Sequence, residues 1–338
     1  MQALVWHGPH DLRLEDVREP GCGEGEAIVE VRYAGICGSD LTIYNGKHTR
    51  AKPPTILGHE FAGVVVERRG SSYPEIQVGT RVAINPAYAC GQCELCQAGH
   101  GHICQRKGLY GVDSDGAFAR YVKVALQSPH PLPAEASFEE GALLEPLAVA
   151  VRAVHLGGVV FGESVLVLGG GPIGLLSAQV ARVAGARQVL LVEPQAFRKN
   201  LAESMGFPVL TPEEATREHV LTLTGGKGIH VVVDAAGVPS AARLSTQLVK
   251  RRGRIVVVAV YKEPVPVDLI TLGYGEMQIL GSCIYTPEDY RRSVGLLEEK
   301  RVTLTPLVTH RLPLAEGISA IEQLTKGMSA QKVLLAVS

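Results

Sequence analysis

This 338-residue sequence lacks three features that would have assigned it to a broad class of protein. No apolar run approaches the roughly 20 residues of a membrane-spanning helix, so neither a membrane span nor a membrane partner is expected. Positive and negative side chains are almost equal in number, at 33 basic and 34 acidic residues. A broad nucleic-acid-binding surface is therefore not expected. The first residues lack a basic segment followed by an apolar one, which indicates no signal peptide and predicts a cytoplasmic protein.

The chain is long enough for two domains, and its pattern changes near residue 148. Before that point, short segments such as 27–32 and 63–67 alternate apolar and polar residues, which is typical of strands with one buried face. Residues 1–147 are therefore predicted to form a barrel-like, mostly antiparallel β domain with long loops.

After residue 148 the apolar runs are unbroken, as expected of parallel strands that are buried on both faces. They lie at 164–168, 188–192, 230–233 and 254–258, with helical stretches at 173–184 and 196–205. This alternation predicts a doubly wound, parallel-sheet Rossmann domain over residues 148–287, and hence a two-domain α/β protein. Residues 288–338, with an amphipathic helix at 290–299 and an apolar strand at 332–337, are expected to return to the first domain.

Four cysteines fall within fifteen residues, at a spacing typical of a zinc site. They are Cys90, Cys93, Cys96 and Cys104, in a loop at about 88–106. The alternatives are a pair of disulfides or chance clustering, but thiols stay reduced in the cytosol, and we therefore favour zinc. Four thiolates close a tetrahedral zinc and leave no position for a substrate, which predicts a structural role.

A glycine-rich turn follows the first apolar run of the second domain. Residues 169–174 match G-x-G-x-x-G, and they have the strand before them and the helix after them that a dinucleotide site requires. Gly169 permits the tight turn, Gly171 lets the backbone approach the pyrophosphate, and Gly174 lets helix and strand pack closely. With Pro172 and Ile173 they are candidate cofactor-binding residues, and the alternative is a turn that binds nothing.

The end of the second apolar run indicates which dinucleotide is bound. Glu193 lies nineteen residues after Gly174, where a carboxylate binds the ribose hydroxyls and repels a 2′-phosphate, which favours NAD over NADP. Arg198, five residues later, could assist a 2′-phosphate, but beside Glu193 we interpret it as packing on the adenine side. Three later positions complete the candidate cofactor-binding set: Val258, Val260 and Cys283.

A second set of metal-binding residue types lies in the first domain. Cys37 stands in Gly-Ile-Cys-Gly-Ser-Asp, His59 in Gly-His-Glu, and Glu145 in Leu-Glu-Pro-Leu. Taken singly, the first two are compatible with a buried free cysteine and a hydrogen-bonded loop histidine. Together, one Cys, one His and one Glu on separate loops fit a catalytic zinc with three protein ligands and an open fourth position.

In this order, the motifs around Cys37 and His59, the cysteine loop and the glycine turn resemble the zinc-dependent medium-chain dehydrogenase/reductase superfamily. Residues 145–149, Glu-Pro-Leu-Ala-Val, are similar to its sorbitol and butanediol dehydrogenase branch. The resemblance implies a catalytic first domain, NAD as cofactor, and two zinc ions, one structural and one catalytic. It also implies interconversion of a secondary alcohol of a diol or polyol and its ketone by hydride transfer, in a homotetramer or, alternatively, a homodimer.

The resemblance implies roles for individual residues near the catalytic zinc. Cys37 and His59 would bind the ion, and Glu60 and Glu145 would share the remaining places with water. Asp40 would hold the other imidazole nitrogen of His59, although an aspartate at this position can also simply cap a turn.

Two departures from the family affect proton transfer and substrate choice. Ser39 would contact the substrate hydroxyl and begin a proton relay to the nicotinamide ribose. Many relatives have a histidine five residues after the zinc cysteine, but that position is Thr42 here, so the relay is expected to use Thr42 and water or to recruit His48. Sorbitol dehydrogenases bind polyol hydroxyls with an Arg-Tyr pair, of which only Tyr285 is kept here, and this favours a smaller, less polar substrate.

Two other functions stay open at this point. One is an enzyme of the same class whose substrate is L-threonine or the alcohol group of a sugar acid. The other is a catalytically silent dinucleotide-binding protein that acts as a redox sensor or scaffold, although such a protein would not need Cys37, His59 and Glu145 together.

Overall fold

The computed structural model describes all 338 residues and divides them into two compact units. One unit comprises Met1–Glu145 and Thr286–Ser338, and the other comprises Pro146–Tyr285. The sequence pattern predicts both domain boundaries two residues later than the structure has them, after residues 147 and 287. No helix combines the length with the apolar character that crossing a membrane requires.

The elements are numbered in chain order. The strands are β1 Gln2–Gly8, β2 Asp11–Asp16, β3 Glu26–Gly35, β4 Thr55–Ile56, β5 Glu60–Arg68, β6 Arg81–Ile84, β7 Ala87–Tyr88, β8 Gly108–Leu109, β9 Tyr121–Ala125, β10 Pro129–Pro131, β11 Ser164–Leu168, β12 Gln188–Val192, β13 Val209–Leu210, β14 Ile229–Asp234, β15 Val249–Val257, β16 Gln278–Gly281, β17 Val308–Pro313 and β18 Lys332–Ala336. The helices are α1 Gly38–Tyr44, α2 Glu94–Gln97, α3 Phe138–Ala142, α4 Leu144–Leu156, α5 Pro172–Val183, α6 Ala196–Ser204, α7 Arg217–Leu223, α8 Pro239–Leu248, α9 Leu269–Gly275, α10 Pro287–Glu298 and α11 Gly317–Thr325.

The first unit is built on a seven-stranded, mostly antiparallel sheet. Its order is β10-β6-β5-β3-β18-β17, and β9 also pairs with β3. The alternation in β3 buries Ala27, Val29 and Val31 completely, because side chains two residues apart point to the same face of a strand. Strand β18 pairs antiparallel with β3 and places Leu334 opposite Gly35, so the end of the chain lies beside the segment that leads to Cys37.

The second unit contains a six-stranded sheet in the order β13-β12-β11-β14-β15-β16. All neighbouring strands are parallel. Val165, Leu166 and Val167 of β11 are completely buried, as expected for a parallel strand that is covered on both faces. The predicted fold class, α/β with a mostly antiparallel domain and a Rossmann domain, is confirmed.

Strand β15 begins at Val249, five residues before the apolar run that predicted it. Lys250, Arg251 and Arg252 interrupt the apolar pattern, and Arg252 has a φ of 59°. The register of β15 against β14 shifts at this point. Apolar runs do not reveal the first part of a strand when it is charged and irregular. The sequence pattern therefore missed the first five residues of β15.

Strand β16 forms one edge of the six-stranded sheet. Ile279 in this strand is 43% exposed. An open edge with exposed apolar side chains can pair with a second chain, and on this basis a homotetramer stays a prediction.

Candidate active site and metal centres

The thiols of the cysteine loop lie close together. The Sγ atoms of Cys93 and Cys96 are 3.4 Å apart, those of Cys90 and Cys104 are 3.5 Å apart, and the other close pairs are at 3.7 and 3.8 Å. Four sulfurs bound to a tetrahedral zinc at about 2.3 Å would be about 3.8 Å from one another. A disulfide needs about 2.05 Å between its sulfurs, and none of the seven cysteines forms one. The set therefore fits zinc and not disulfides.

Backbone N–H groups support negative charge in this loop. The N–H groups of Gln92 and Cys93 lower the pKa of Cys90, which favours its thiolate. The N–H of Arg106 donates to Cys104 Sγ at 3.3 Å. Because zinc binds thiolates and not thiols, these N–H groups favour the metal-binding form of Cys90 and Cys104, whereas burial and the neighbouring thiols raise the pKa of Cys96.

Cys37 is fixed by backbone contacts on both sides. It precedes α1, and its N–H donates to Asp40 Oδ2 at 2.8 Å. The N–H of Ile36 donates to the carbonyl of Val333 in β18 at 3.0 Å. These contacts hold the backbone of the turn and leave the Cys37 thiol available to a metal.

His59 lies in a strongly negative environment. It precedes β5, is 3% exposed, and its Nδ1 lies 3.7 Å from Asp40 Oδ1. Neither of these two atoms has a hydrogen-bond partner. Burial alone would lower the pKa of His59, but Asp40, Cys37 and Glu145 outweigh it and raise that pKa well above its usual value. The site therefore stabilises positive charge, as a bound dication requires.

Three candidate metal ligands come together in the first unit. One ligand atom each of Cys37, His59 and Glu60 lies within 4.8 Å of the other two. A thiolate, an imidazole and a carboxylate form a donor set that suits zinc. Glu145 is not a member of this group, although it is buried and its charge acts on His59.

The predicted proton-relay residues differ in their contacts. Ser39 Oγ lies 3.4 Å from His59 Nε2. Thr42 Oγ1 donates to the carbonyl of Gly38 at 3.0 Å, within its own helix. His48 Nδ1 accepts backbone N–H groups at 3.1 and 3.3 Å, so a neutral ring carries its proton on Nε2.

The glycine turn joins β11 to α5 in the second unit. Gly169 has a φ of 95°, a conformation that favours glycine. A Cβ on Gly174 would lie 1.8 Å from the carbonyl oxygen of Gly169, so no larger residue fits there. Gly171 is the N-cap of α5 and Pro172 is in its first turn, where free N–H groups attract a phosphate.

Comparison with known proteins agrees with this geometry. The model of the alcohol dehydrogenase GroES-like domain matches residues 23–134, and the model of the zinc-binding dehydrogenase family matches residues 172–299. The chain belongs to the zinc-dependent medium-chain dehydrogenase/reductase superfamily. It is a zinc-binding oxidoreductase with a Rossmann domain of the NAD(P) type.

Relatives of this superfamily differ in their substrates. A 2-dehydro-3-deoxy-L-galactonate 5-dehydrogenase from Pseudoalteromonas atlantica is 37% identical over 92% of this chain and 91% of its own. An L-threonine 3-dehydrogenase from Bacillus licheniformis is 33% identical over 99% of both chains.

Two solved structures are similar along nearly the whole chain. The 2R,3R-butanediol dehydrogenase from Bacillus subtilis has a TM-score of 0.91 at 30% identity, and the match covers 100% of this chain and 99% of that one. A zinc-binding dehydrogenase from Sinorhizobium meliloti, bound to NADP, has a TM-score of 0.93 at 33% identity, with coverages of 99% and 98%.

Within this dehydrogenase fold, Glu193 contacts the glycine turn directly. Its Oε2 accepts the N–H of Gly170 at 2.7 Å, and its Oε1 accepts the N–H of Gln195 at 2.8 Å. Glu193 is only 3% exposed, so its carboxylate is firmly held. The Arg198 guanidinium lies about 3.7 Å from the position of a Cβ on Gly171, beside the turn.

The later cofactor candidates lie near the carboxyl ends of their strands. Val258 follows β15, and its N–H donates to the carbonyl of Asp234 at 3.0 Å. Val260 is 89% exposed, and Cys283 is partly buried after β16.

Sequence reasoning missed two buried groups. Lys332 donates to both carboxylate oxygens of Glu60, at 2.8 and 2.6 Å. Asp234 ends β14, accepts the N–H groups of Ala236 and Gly237 at 3.0 and 3.2 Å, and is bonded by the Tyr261 hydroxyl. The available signal was a charged residue that begins an otherwise apolar run, in the case of Lys332, or ends one, in the case of Asp234.

Proposed function

We propose that this chain is an NAD-dependent dehydrogenase that uses a catalytic and a structural zinc to interconvert a secondary alcohol and its ketone. The substrate we favour is a diol or polyol. The observation that carries the proposal is the grouping of Cys37, His59 and Glu60 within 4.8 Å, among buried groups that favour positive charge. The four-cysteine loop supports the second, structural zinc.

The residues divide the chemistry as follows. Cys37 and His59 would hold the catalytic zinc, and Glu60 and Glu145 supply buried negative charge around it. When bound, the zinc supplies Lewis acidity that makes an alcohol easier to deprotonate, and NAD supplies the hydride acceptor. Ser39 Oγ lies 3.4 Å from His59 Nε2, and its hydroxyl is suited to accept the alcohol proton while it passes its own proton to the next group of the relay.

The next step of the proton path has two candidate residues, Thr42 and His48. The Thr42 hydroxyl must give up its bond to the carbonyl of Gly38 before it can pass a proton on. Burial and the neighbouring Arg50 lower the pKa of His48, with Asp113 opposing them and His59 adding a small further decrease. His48 Nδ1 must likewise release the backbone N–H groups of Arg50 and Ala51 before it can take up a proton, so Thr42 with water and His48 both remain candidates.

The substrate should carry a second polar group beside the reacting alcohol. Glu145 is buried and its charge acts on His59, so the surroundings of the candidate metal are polar and negative. A diol, a polyol or a sugar acid carries a second hydroxyl that suits such surroundings. The second candidate function is oxidation of the alcohol group of a sugar acid, because a relative named for a sugar acid shares 37% identity with this chain.

A panel of alcohols tests the substrate class. We expect 2,3-butanediol or sorbitol to exceed ethanol in kcat/KM by roughly tenfold or more, because a second hydroxyl can bind in the polar surroundings of the candidate metal and ethanol has none. NAD reduction at 340 nm measures each rate, with L-threonine and a six-carbon sugar acid in the same panel. Ethanol as the best substrate would contradict the proposal, and threonine or the sugar acid as the best would replace the diol. No turnover with any alcohol would support a silent binding protein.

Cofactor choice should follow Glu193. We expect NAD to exceed NADP in kcat/KM by more than tenfold, or about 1.4 kcal/mol, because the held carboxylate repels a 2′-phosphate. Glu193→Ala should reduce the ratio of kcat/KM with NAD to kcat/KM with NADP. Glu203→Ala, which removes a surface carboxylate of the same unit that is 3.9 Å from Lys199, is the matched control and should leave the ratio unchanged. Equal use of NAD and NADP by the wild type would refute the assignment.

A further inference from the structure

A basic pocket lies in the second unit, at the amino ends of its strands. Its volume is about 400 Å³, and sites for small molecules have roughly 300–1,000 Å³. Among its lining residues, Glu163 precedes β11, His230 is the second residue of β14 and Gln278 is the first residue of β16. The glycine turn follows the other end of β11, roughly 16 Å away along a strand of five residues. The pocket is therefore separate from the candidate dinucleotide site.

A bulge in β15 supplies most of the positive charge of this pocket. The register of β15 against β14 places residues 250–253, Lys-Arg-Arg-Gly, opposite His230 alone. Arg252 has a φ of 59°, a conformation that is unfavourable for arginine. A Cβ on Gly253 would lie 2.8 Å from the carbonyl oxygen of Lys250 and 3.1 Å from that of His230, so glycine is needed to close the bulge. Bulges turn side chains away from the regular pleat and are frequent beside functional sites.

The charges that line the pocket are not balanced. Four cationic side chains and one carboxylate line it. That carboxylate, Glu163, is already bonded by the Arg254 guanidinium. Lys250 and Arg251 form no ion pair. Arg252 forms one at 3.6 Å, but its side chain is 83% exposed, and such a surface pair binds weakly. The pocket therefore offers positive charge to a ligand and no unpaired carboxylate.

Neutral donors complete the wall of the pocket. His230 Nδ1 accepts a backbone N–H at 3.1 Å, so a neutral ring carries its proton on Nε2. The amide of Gln278 also lines the pocket and can donate. Burial is the main cause that lowers the pKa of His230, and the positive charge of Lys250 lowers it further, with Glu163 opposing them. The imidazole thus lies in a positive electrostatic potential.

We propose that this pocket binds the phosphate groups of a small phosphorylated molecule, at a site distinct from the dinucleotide site. Like charges held together repel one another, and an anion with several acceptor oxygens relieves this repulsion. Phosphate suits the donors present, because arginine binds it through two parallel N–H groups and lysine binds it as a point charge. The volume of the pocket leaves room for an organic group beside the phosphate. The site uses neither the zinc ligands nor the alcohol, so this proposal is independent of the proposed function.

Calorimetric titration with inorganic diphosphate tests the proposal on the zinc-loaded protein. Saturating NAD is present, so that the probe does not bind at the glycine turn. We expect a Kd below about 1 mM at low ionic strength, and at least a tenfold higher Kd in the double variant Lys250→Gln, Arg251→Gln. The matched control is Arg217→Gln, Arg243→Gln, which removes two positive charges from exposed positions of the same unit outside the pocket. It should keep the Kd of the wild type.

The NMR signal of the His230 ring gives a second measurement, and His230→Gln assigns it. Bound diphosphate should raise the pKa of His230, because a nearby anion favours the charged imidazole. A wild type that does not bind diphosphate would overturn the proposal, as would a Kd that is the same in the wild type and the Lys250→Gln, Arg251→Gln variant. Tighter binding of a DNA duplex than of diphosphate would also overturn it. So would a change of oligomeric state in that variant without weaker diphosphate binding, because the basic residues would then bind a second copy of the chain.

Discussion

Replacing Cys37 with serine should reduce turnover at least about a thousandfold, because a hydroxyl is a poor zinc ligand and the Lewis acidity of a metal is worth several kcal/mol. The fold should persist, since serine keeps the backbone N–H at position 37 that donates to Asp40 Oδ2. Steady-state rates, metal content and circular dichroism measure these effects. We expect one zinc to remain per chain, in the cysteine loop.

Cys93→Ser is the counterpart in the other metal centre. Three thiolates cannot close the tetrahedron, so this variant should lose the structural zinc and unfold at a lower temperature. Cys22→Ser is the matched control, because the Cys22 thiol is buried but bonds only backbone carbonyls, at 3.3 Å to Glu26, and belongs to neither cluster. It should keep full turnover and two zinc ions. A wild type with a single zinc would contradict the two-site proposal.

Short motifs made much of the candidate site predictable because their members are close in sequence. Four cysteines within fifteen residues are joined by short segments, which keep them close in space. Their Sγ atoms are 3.4–3.8 Å from their neighbours. The glycine turn was equally accessible, because a strand, a tight turn and a helix follow one another directly. The unbroken apolar runs predicted the parallel sheet for a similar reason, since the apolar residues of a strand that is buried on both faces are consecutive in the sequence.

Contacts between distant segments were not predictable in this way. Lys332 and Glu60 are 272 residues apart, and no local pattern links a lysine at the beginning of a strand to a particular carboxylate. The grouping of metal ligands shows the same limit. The family resemblance implied that Glu60 and Glu145 would share the remaining metal positions with water. The group within 4.8 Å contains Glu60 alone of the two, and strand pairing places Glu60 opposite Gly35.

Two glycines of the cofactor turn should respond differently to alanine. Gly174→Ala should lower the stability of the second unit, because its Cβ would lie 1.8 Å from the Gly169 carbonyl oxygen and α5 would have to move. Overpacking of this kind costs about 1–3 kcal/mol, which corresponds to a decrease in Tm of roughly 4 °C or more. The dissociation constant for NAD should increase as well, since the displaced helix no longer presents its N-terminus to the pyrophosphate.

Gly171→Ala is the variant matched to Gly174→Ala, and it tests whether the cofactor approaches this turn without changing the stability of the fold. Gly171 has a φ of −66°, and a Cβ there would meet only the Arg198 guanidinium, at 3.7 Å, so alanine fits without strain. Its Tm should therefore equal that of the wild type, while the added methyl group blocks the pyrophosphate and raises the NAD dissociation constant at least about tenfold. Calorimetric titration with NAD and thermal unfolding measure the two effects separately. Wild-type NAD affinity in Gly171→Ala would mean that the cofactor does not approach this turn, and the dinucleotide site would then have to lie elsewhere on the sheet.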